Sequence, residues 1–179
     1  MQILGIAGSL RAGSYNRQLL HLVADNLPDG VELAVWDGLR DLPAFDEDEE
    51  GTPSLAVAGF RSAVAAADAV LIATPEYNGS IPGTLKNALD WGSRPRETAS
   101  FRGKPTAVIG ASPGSFGAVW AHAETRRVLG LMGARVVEVE LSLGKAHERL
   151  AEPDEELVEQ LRAVIGLLVD EAVARAAAA

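Results

Sequence analysis

The segment that follows the first apolar run, GSLRAGSYNRQLL, combines backbone and side-chain groups that suit an anion. Gly8 and Gly13 allow a tight turn with exposed amides, and Ser14 is a favourable N-cap for the helical pattern that follows. That helix would direct its unpaired N–H groups and the positive end of its dipole towards the turn. Arg11 adds a guanidinium that can hold two phosphate oxygens at once. These features predict a phosphate-binding turn between a strand and a helix.

Polar side chains in the same segment narrow the choice of anion. Ser9, Ser14 and Asn16 can each donate a hydrogen bond to a phosphate oxygen. Ser14 follows Gly13 with no lysine between them, so the pattern GxxxxGK[ST] of nucleotide-hydrolysing proteins is absent, as is the dinucleotide pattern GxGxxG. A terminal phosphate monoester is therefore the predicted ligand of this turn. The alternative is a turn without a ligand, which accounts for the glycines but not for the arginine and the polar side chains.

A second candidate segment, TPEYNGSIPGTLKNALDWGSRP, follows the third apolar run. Pro75 ends that run, Asn78 and Gly79 mark a turn, and Pro82 begins a new helical pattern. The residues between the two prolines are therefore expected to form a short, stiff loop whose exposed amides and carbonyls can meet the edge of a heteroaromatic ring. Tyr77 can cover part of a ring face. An ordinary turn without a ligand is the alternative.

A third segment, GASPGSFG, follows the fourth apolar run and raises a rival function. Its first five residues match GxSxG, the nucleophile elbow of serine hydrolases, with Ser112 as the nucleophile. The residue after that serine should give an N–H to the oxyanion hole, but it is Pro113, which has none. A triad would also need a glutamate followed by His147, and no pattern around these residues supports one. We therefore favour a small-residue loop, including Ser112 and Gly114, that lets a flat ring approach.

Short apolar runs alternate with longer segments of helical period, which is typical of βαβ units and a parallel sheet. Five runs are predicted to be strands, at residues 3–7, 31–36, 69–74, 105–110 and 135–141. The last helical segment has an apolar face, made of Leu157, Leu161, Val164, Ile165, Leu168 and Val169. A sheet of this kind most often has the order 2-1-3-4-5 with helices on both faces, and it binds ligands where the order reverses, between strands 1 and 3. The first two candidate segments follow those strands, so we expect them to lie side by side.

Composition excludes several classes of partner. The 179 residues, 47% of them hydrophobic, suit a single domain over residues 1–179. A net charge of −9 disfavours nucleic acid and anionic membranes. The chain has no cysteine, and its three histidines lack the spacing of a metal site, so we expect neither disulfides nor a metal. The first residues form no cationic leader and no apolar run approaches the roughly 20 residues of a membrane span, which predicts a cytoplasmic protein.

Two of these segments, GSLRAGSYN and TPEYNGSIPGTLKNALDWGSR, resemble the NADPH-dependent FMN reductase family, and the similarity extends to about the last helix. The resemblance implies a flavodoxin-like fold, FMN as the cofactor, and two-electron reduction of a small acceptor by NADPH or NADH in ping-pong fashion. Acceptors in the family include quinones, flavins, chromate and azo compounds. Hydride passes between the nicotinamide and flavin N5, so no protein residue is expected to act as general acid or base. A homodimer or homotetramer is also implied.

The resemblance assigns cofactor contacts residue by residue. The contacts to the FMN phosphate are expected from Ser9, Arg11, Ser14, Tyr15 and Asn16. The contacts to the isoalloxazine are expected from Pro75, Glu76, Tyr77, Asn78 and Gly79, with Ser112 and Gly114 at its other edge. Trp120 stands about where the family often has an arginine, which leaves acceptor preference and assembly open.

Two further hypotheses remain at this point. An acidic flavodoxin-like electron carrier is the main alternative to an enzyme, although the long segment after the third strand resembles the reductases. Arg94 and Arg96 are candidates for contacts with the nucleotide phosphates of NADPH, and solvated surface charges are the alternative.

Overall fold

The computed structural model describes residues 1–178, and its centre is a parallel β-sheet. The strands are β1 (Gln2–Ala7), β2 (Glu32–Trp36), β3 (Ala69–Ala73), β4 (Pro105–Ala111), β5 (Arg135–Val136) and β6 (Leu141–Leu143). Their order is β2-β1-β3-β4-β5, with β6 also paired to β4. The predicted order 2-1-3-4-5 is therefore confirmed, and the reversal lies between β1 and β3.

The last strand differs from the prediction. A continuous strand was expected over residues 135–141, whereas β5 and β6 are separate short strands that both pair in parallel with β4. Between them the N–H of Val139 bonds the carbonyl of Val137 at 3.0 Å, which is a local turn rather than a ladder contact. Arg126 donates to the carbonyl of Val139 and, at 3.1 Å, to the carboxylate of Glu140. The alternating VEVE pattern predicts a strand, but these local and side-chain bonds hold the chain away from the ladder.

Helices cover both faces of the sheet. They are α1 (Tyr15–Ala24), α2 (Leu55–Ala66), α3 (Gly83–Gly92), α4 (Val119–Leu131), the short α5 (Ala146–Arg149) and α6 (Glu155–Ala177). One hydrophobic cluster joins α1 and α6 to one face, and the other joins α2, α3 and α4 to the opposite face. Strand β3 is buried throughout, with Leu71 in the first cluster and Val70 and Ile72 in the second. This is the burial expected of a strand covered on both sides.

The last helix packs with the face that the sequence predicts. Five of its predicted core residues are buried, namely Leu157, Leu161, Val164, Ile165 and Leu168. Val169 is partly buried against the same cluster. Asp154 caps the helix by accepting a hydrogen bond from the N–H of Leu157 at 2.8 Å. Within residues 1–178, no helix combines the length and the apolar character needed to cross a bilayer.

Close packing at the end of β4 gives a test of this architecture. A Cβ atom added at Gly110 would lie 2.2 Å from the carbonyl oxygen of Thr74 and 2.3 Å from Nε2 of His122. Gly110→Ala should therefore lower the free energy of unfolding by about 1–3 kcal/mol, measured by urea denaturation. Gly166→Ala is the matched control, because no atom lies within 4 Å of its added Cβ, and in a helix it should gain about 0.5–1 kcal/mol. Equal stability of wild type and Gly110→Ala would contradict this packing.

Candidate functional site

The two loops at the reversal point lie in direct contact. The N–H of Gly8, just after β1, donates to the carbonyl of Ala73 at the end of β3, at 2.8 Å. A Cβ atom on Gly8 would lie 3.1–3.3 Å from side-chain atoms of Leu85, Thr74 and Pro75. The lack of a side chain at Gly8 thus lets the first loop pass close to the second. The hydroxyl groups of Ser9 and Tyr77 are 3.4 Å apart and join the two loops a second time.

The first loop presents hydrogen-bond donors to one side. Ser14 caps α1, since its Oγ accepts from the N–H of Arg17 at 3.2 Å. The N–H groups of Tyr15 and Asn16 lie in the first turn of α1, where no intrahelical acceptor exists. Arg11 is exposed, and its guanidinium carbon stands 5.4 Å from the ring centre of Tyr15. The turn therefore carries backbone donors and a cation near one another.

A cavity of about 350 Å³ adjoins this turn. Its lining includes Ser9, Arg11 and Arg17. Arg17 is neutralised by a salt bridge to Asp37. Within residues 1–178, Arg11 has no carboxylate within salt-bridge distance. Its charge is thus available to a bound anion.

The side chain of Asn16 bonds the backbone at the end of β4. Its side chain is buried, its amide nitrogen donates to the carbonyl of Ala111 at 3.0 Å, and its amide oxygen accepts from the N–H of Ala111 at 2.9 Å. These two bonds hold α1 against the end of β4. The side-chain amide is therefore a link between the first and third loops, while the backbone N–H of Asn16 stays with the turn.

The second loop is a tight reversal. Tyr77 and Ser80 exchange backbone hydrogen bonds of 3.0 and 3.1 Å. Asn78 and Gly79 between them have φ angles of 55° and 74°, in the left-handed region, as a type I′ turn requires. Tyr77 is 51% exposed at the rim of the site. The predicted turn at Asn78 and Gly79 is confirmed.

Glu76 ties the second loop to α4. Its Oε2 accepts hydrogen bonds from the N–H groups of Trp120 and Ala121, at 3.1 and 3.2 Å. The N-cap of α4 is Ala118, whose side chain cannot accept a hydrogen bond, so Glu76 supplies the missing cap from another part of the chain. The sequence alone did not reveal this role. An alanine at the N-cap, which offers no side-chain acceptor, is the sequence signal that could have pointed to an acceptor from elsewhere in the chain.

A second contact joins the same two elements, and no local sequence pattern indicates it. Ser80 donates from its hydroxyl to Oε2 of Glu124 at 2.7 Å. The second loop is thus bonded to α4 twice: Glu76 of the loop accepts from the backbone of α4, and Glu124 of α4 accepts from Ser80 of the loop.

The third loop completes the rim and does not form a serine nucleophile site. The backbone of Ser112 bonds Leu143 and Ala146, each at 3.0 Å. Its hydroxyl donates to the carbonyl of Gly114 at 3.4 Å and, within residues 1–178, has no histidine within hydrogen-bond distance. A Cβ at Gly114 would meet only that hydroxyl, at 3.7 Å. The loop therefore leaves open space beside Ser112, as close approach of a flat ring requires.

His122 is buried beneath these loops in its neutral form. Burial, followed by the charge of Arg126, lowers the pKa of His122 from 6.5 to about 4. Its Nδ1 is 2.9 Å from the hydroxyl of Ser142. Its Nε2 is buried without a hydrogen bond of good geometry, although the nearby Thr74 carbonyl favours the protonated form. His122 therefore packs the ends of β3, β4 and β6 together.

Arg94 and Arg96 lie away from the loops that would hold the cofactor. They follow α3, whose ten residues separate them from the second loop by about 15 Å. Arg94 pairs with Glu50 at 3.6 Å. At that end of α3 the two arginines line a separate cavity of about 450 Å³ together with Lys86, Arg102 and Arg127. A contact of Arg94 and Arg96 with the nucleotide phosphates stays a prediction.

The donor set of the first two loops fits FMN. A phosphate monoester needs several N–H and O–H donors with a cation, and the turn at residues 8–16 offers serine hydroxyls, first-turn amides and Arg11. A flat ring needs a rim without bulky side chains. An added Cβ at Gly79 would have no atom within 4 Å, and one at Gly114 would meet only the Ser112 hydroxyl, at 3.7 Å. The fold and site together define a flavodoxin-like protein of the kind that binds a flavin mononucleotide.

Comparison with known proteins identifies the family. Residues 1–148 match the sequence profile of the NADPH-dependent FMN reductases. The chain is 47% identical to an NAD(P)H-dependent FMN reductase of Pseudomonas aeruginosa, over 72% of this chain and 69% of that protein. It is 42% identical to a quinone reductase of Pseudomonas putida, over 69% and 67% of the two chains. The protein therefore belongs to the NADPH-dependent FMN reductase family.

A solved structure supports the same assignment. The flavoenzyme NAD(P)H:acceptor oxidoreductase of Paracoccus denitrificans superposes with a TM-score of 0.88 at 31% identity, covering 97% of this chain and 98% of that one. The fold is flavodoxin-like, as the resemblance implied. As a member of the family, the protein is an NAD(P)H-dependent flavoprotein oxidoreductase that uses FMN.

The burial of His122 predicts a pH dependence of stability. The unfolded chain binds a proton at His122 near pH 6.5, whereas the folded protein does so only near pH 4. Above pH 6.5 the imidazole is neutral in both states and its protonation does not change the stability. As the pH falls from 6.5 to 4, the unfolded chain binds a proton that the folded protein does not, so the free energy of unfolding decreases by roughly 3 kcal/mol. In His122→Gln this part of the slope should vanish, measured by denaturant unfolding across that range.

His21→Gln is the control for this experiment, because His21 lies exposed on α1. It should keep the wild-type slope, so that the difference between the two variants isolates the buried imidazole from the carboxylates that titrate in the same range. Identical slopes in wild type and His122→Gln would mean that His122 is protonated in the fold well above pH 4.

Proposed function

We propose that the protein reduces a small acceptor by two electrons at the expense of NADPH or NADH, in ping-pong fashion, with FMN held across the reversal point of the sheet. The observation that carries this proposal is the contact between the loops after β1 and β3, through Gly8–Ala73 and Ser9–Tyr77. It brings a phosphate-type donor set and an aromatic rim into one site. Bound FMN would take a hydride from NAD(P)H and pass two electrons to the acceptor.

Each predicted contact has a defined part in this proposal. Ser9, Arg11 and the first-turn N–H groups of Tyr15 and Asn16 would bind the FMN phosphate, and Ser14 would hold that turn in place as the cap of α1. The residues of the second loop, Pro75, Glu76, Tyr77, Asn78 and Gly79, and those of the third, Ser112 and Gly114, would line the ring. Glu76 would act mainly by fixing that loop on α4.

The overall reaction balances without a protein acid or base. For a quinone, NAD(P)H and one solvent proton yield the quinol and NAD(P)⁺, so two electrons and two protons reach the acceptor. The residues of the site would bind FMN, orient the reacting groups and keep water away from them. Quinones, free flavins, chromate and azo compounds remain the candidate acceptors, and a quinone is favoured by the names of the relatives.

Assembly and location are part of the same proposal. A homodimer or homotetramer in the cytoplasm follows from the family resemblance. Sedimentation of the FMN-loaded protein at several concentrations measures the oligomeric state. A monomer at all concentrations would contradict the proposed homodimer or homotetramer.

An absorption spectrum tests the proposal directly. FMN is added to the purified protein, the excess is removed, and NADPH is added without oxygen. We expect retained bands of oxidised flavin that bleach with NADPH and return when a quinone is added. Retained flavin that NADPH cannot bleach would instead support the electron carrier. A colourless protein would mean that the first loop binds a different anion.

Arg11 provides the sharpest test of the phosphate contact. A hydrogen bond to a charged group contributes about 1.5–3 kcal/mol, so Arg11→Ala should weaken FMN binding roughly 10- to 100-fold. The dissociation constant is measured by quenching of flavin fluorescence. Arg162→Ala is the control, because Arg162 lies on α6 and pairs with Glu155 at 3.3 Å. Unchanged FMN affinity in Arg11→Ala would remove this residue from the site.

A further inference from the structure

The exposed aromatic side chains of residues 1–178 are confined to the loops around the candidate site. They are Tyr77 on the second loop, Phe116 on the third and Trp120 at the start of α4, with 51%, 68% and 54% of their surface exposed. The other phenylalanines and tryptophans are buried or partly buried. Large aromatic rings left in water at one place mark a surface that binds another apolar group.

Phe116 and Trp120 form a single unit. Their ring centres are 5.2 Å apart and their planes are tilted by 56°, a separation and tilt within the favourable range for aromatic pairs. Trp120 is held at its backbone, because its N–H donates to Glu76 of the second loop at 3.1 Å. Phe116 follows Gly114 by two residues in the third loop. The pair, which we call the aromatic wall, thus stands between the two loops that would line the flavin ring.

Two carboxylates, those of Glu76 and Glu124, lie beside the aromatic wall. The carboxylate of Glu76 bonds the first turn of α4. Glu124 lies one helical turn after Trp120, and its carboxylate bonds Ser80. Two carboxylates at the edge of an apolar surface repel a small anion and leave an uncharged ring unaffected. An acceptor that meets this wall is therefore favoured when it is flat, apolar and uncharged.

We propose that Phe116 and Trp120 determine acceptor specificity, selecting uncharged aromatic acceptors such as quinones over anionic acceptors such as metal oxyanions. This inference rests on the proposed function and deepens it by naming the residues that choose the acceptor. At the start of α4 this chain presents the indole of Trp120 to solvent. A cation at that place would attract an anion, whereas an indole stacks on a ring.

The test compares two acceptors on the FMN-loaded enzyme. Steady-state rates with NADPH are measured for 1,4-naphthoquinone, which is flat and uncharged, and for ferricyanide, which is anionic and not flat. Loss of one aromatic contact should lower kcat/KM for naphthoquinone roughly 3- to 10-fold more than for ferricyanide in Trp120→Ala and in Phe116→Ala. The loss should appear in KM, and Trp120→Phe should recover most of it.

Leu131→Ala is the matched control. Leu131 is also an exposed apolar residue of α4, 79% exposed, at the end of the helix remote from the site. Its truncation should leave the ratio of the two kcat/KM values unchanged. FMN affinity and the rate of flavin reduction by NADPH are measured for every variant, so that an effect on the cofactor is separated from an effect on the acceptor.

The possible results distinguish failure of the specificity inference from failure of the proposed function. An unchanged ratio in both alanine variants, with normal FMN binding and reduction, overturns the inference and leaves the proposed function intact. A change of sedimentation in Trp120→Ala with an unchanged ratio overturns it in favour of contact with a second copy of the chain. Wild-type protein that neither binds FMN nor is reduced by NADPH overturns the proposed function, and this inference with it.

Discussion

The reversal of strand order between β1 and β3 is the constraint on which the rest of the site depends. At this point the chain connections after the two strands leave towards opposite faces of the sheet, so a gap opens between their first residues. The N–H of Gly8 bridges to the carbonyl of Ala73 at the base of that gap. Above this bond, Arg11 of the first loop and Tyr77 of the second are exposed and so available to a ligand.

Loops that frame an open gap would move unless other bonds hold them, and this protein holds them by the buried side chains of Asn16 and His122 and the partly buried side chain of Glu76. Asn16 links the first loop to β4, and Glu76 links the second loop to α4. His122 joins the strand ends beneath them. Each of these groups bonds backbone atoms or a hydroxyl of a distant segment, so that the three loops form one rim although they are separated along the chain. Such preorganisation is what a cofactor enzyme has to provide, since the electron transfer itself belongs to the flavin.

The acidic character of the chain and the aromatic wall act together. A net charge of −9 and the carboxylates of Glu76 and Glu124 make the approach to the rim unfavourable for small anions. The first loop, by contrast, carries Arg11, which among residues 1–178 has no carboxylate within salt-bridge distance, so that its charge is available to a bound anion. In the proposed function, the first loop would bind the negatively charged end of the cofactor and the rim with the two carboxylates would meet the acceptor.

The sequence by itself determined the strand order, the buried β3, the apolar face of α6 and the positions of the turns. These features depend on local pattern: the period of apolar residues, the glycines and prolines, and the capping side chains. It also located the loops that surround the site. Only the tertiary structure decided how their side chains are used: that Asn16 bonds Ala111, that Glu76 caps α4, that Arg94 belongs to another surface, and that the last strand is interrupted. The physical reason is that the bonds of Asn16, Glu76 and Arg94 join residues far apart in the chain, and a local pattern carries no record of which distant group will lie within hydrogen-bond distance. The interruption of the last strand depends on Arg126 of α4, which lies outside the alternating pattern of that strand.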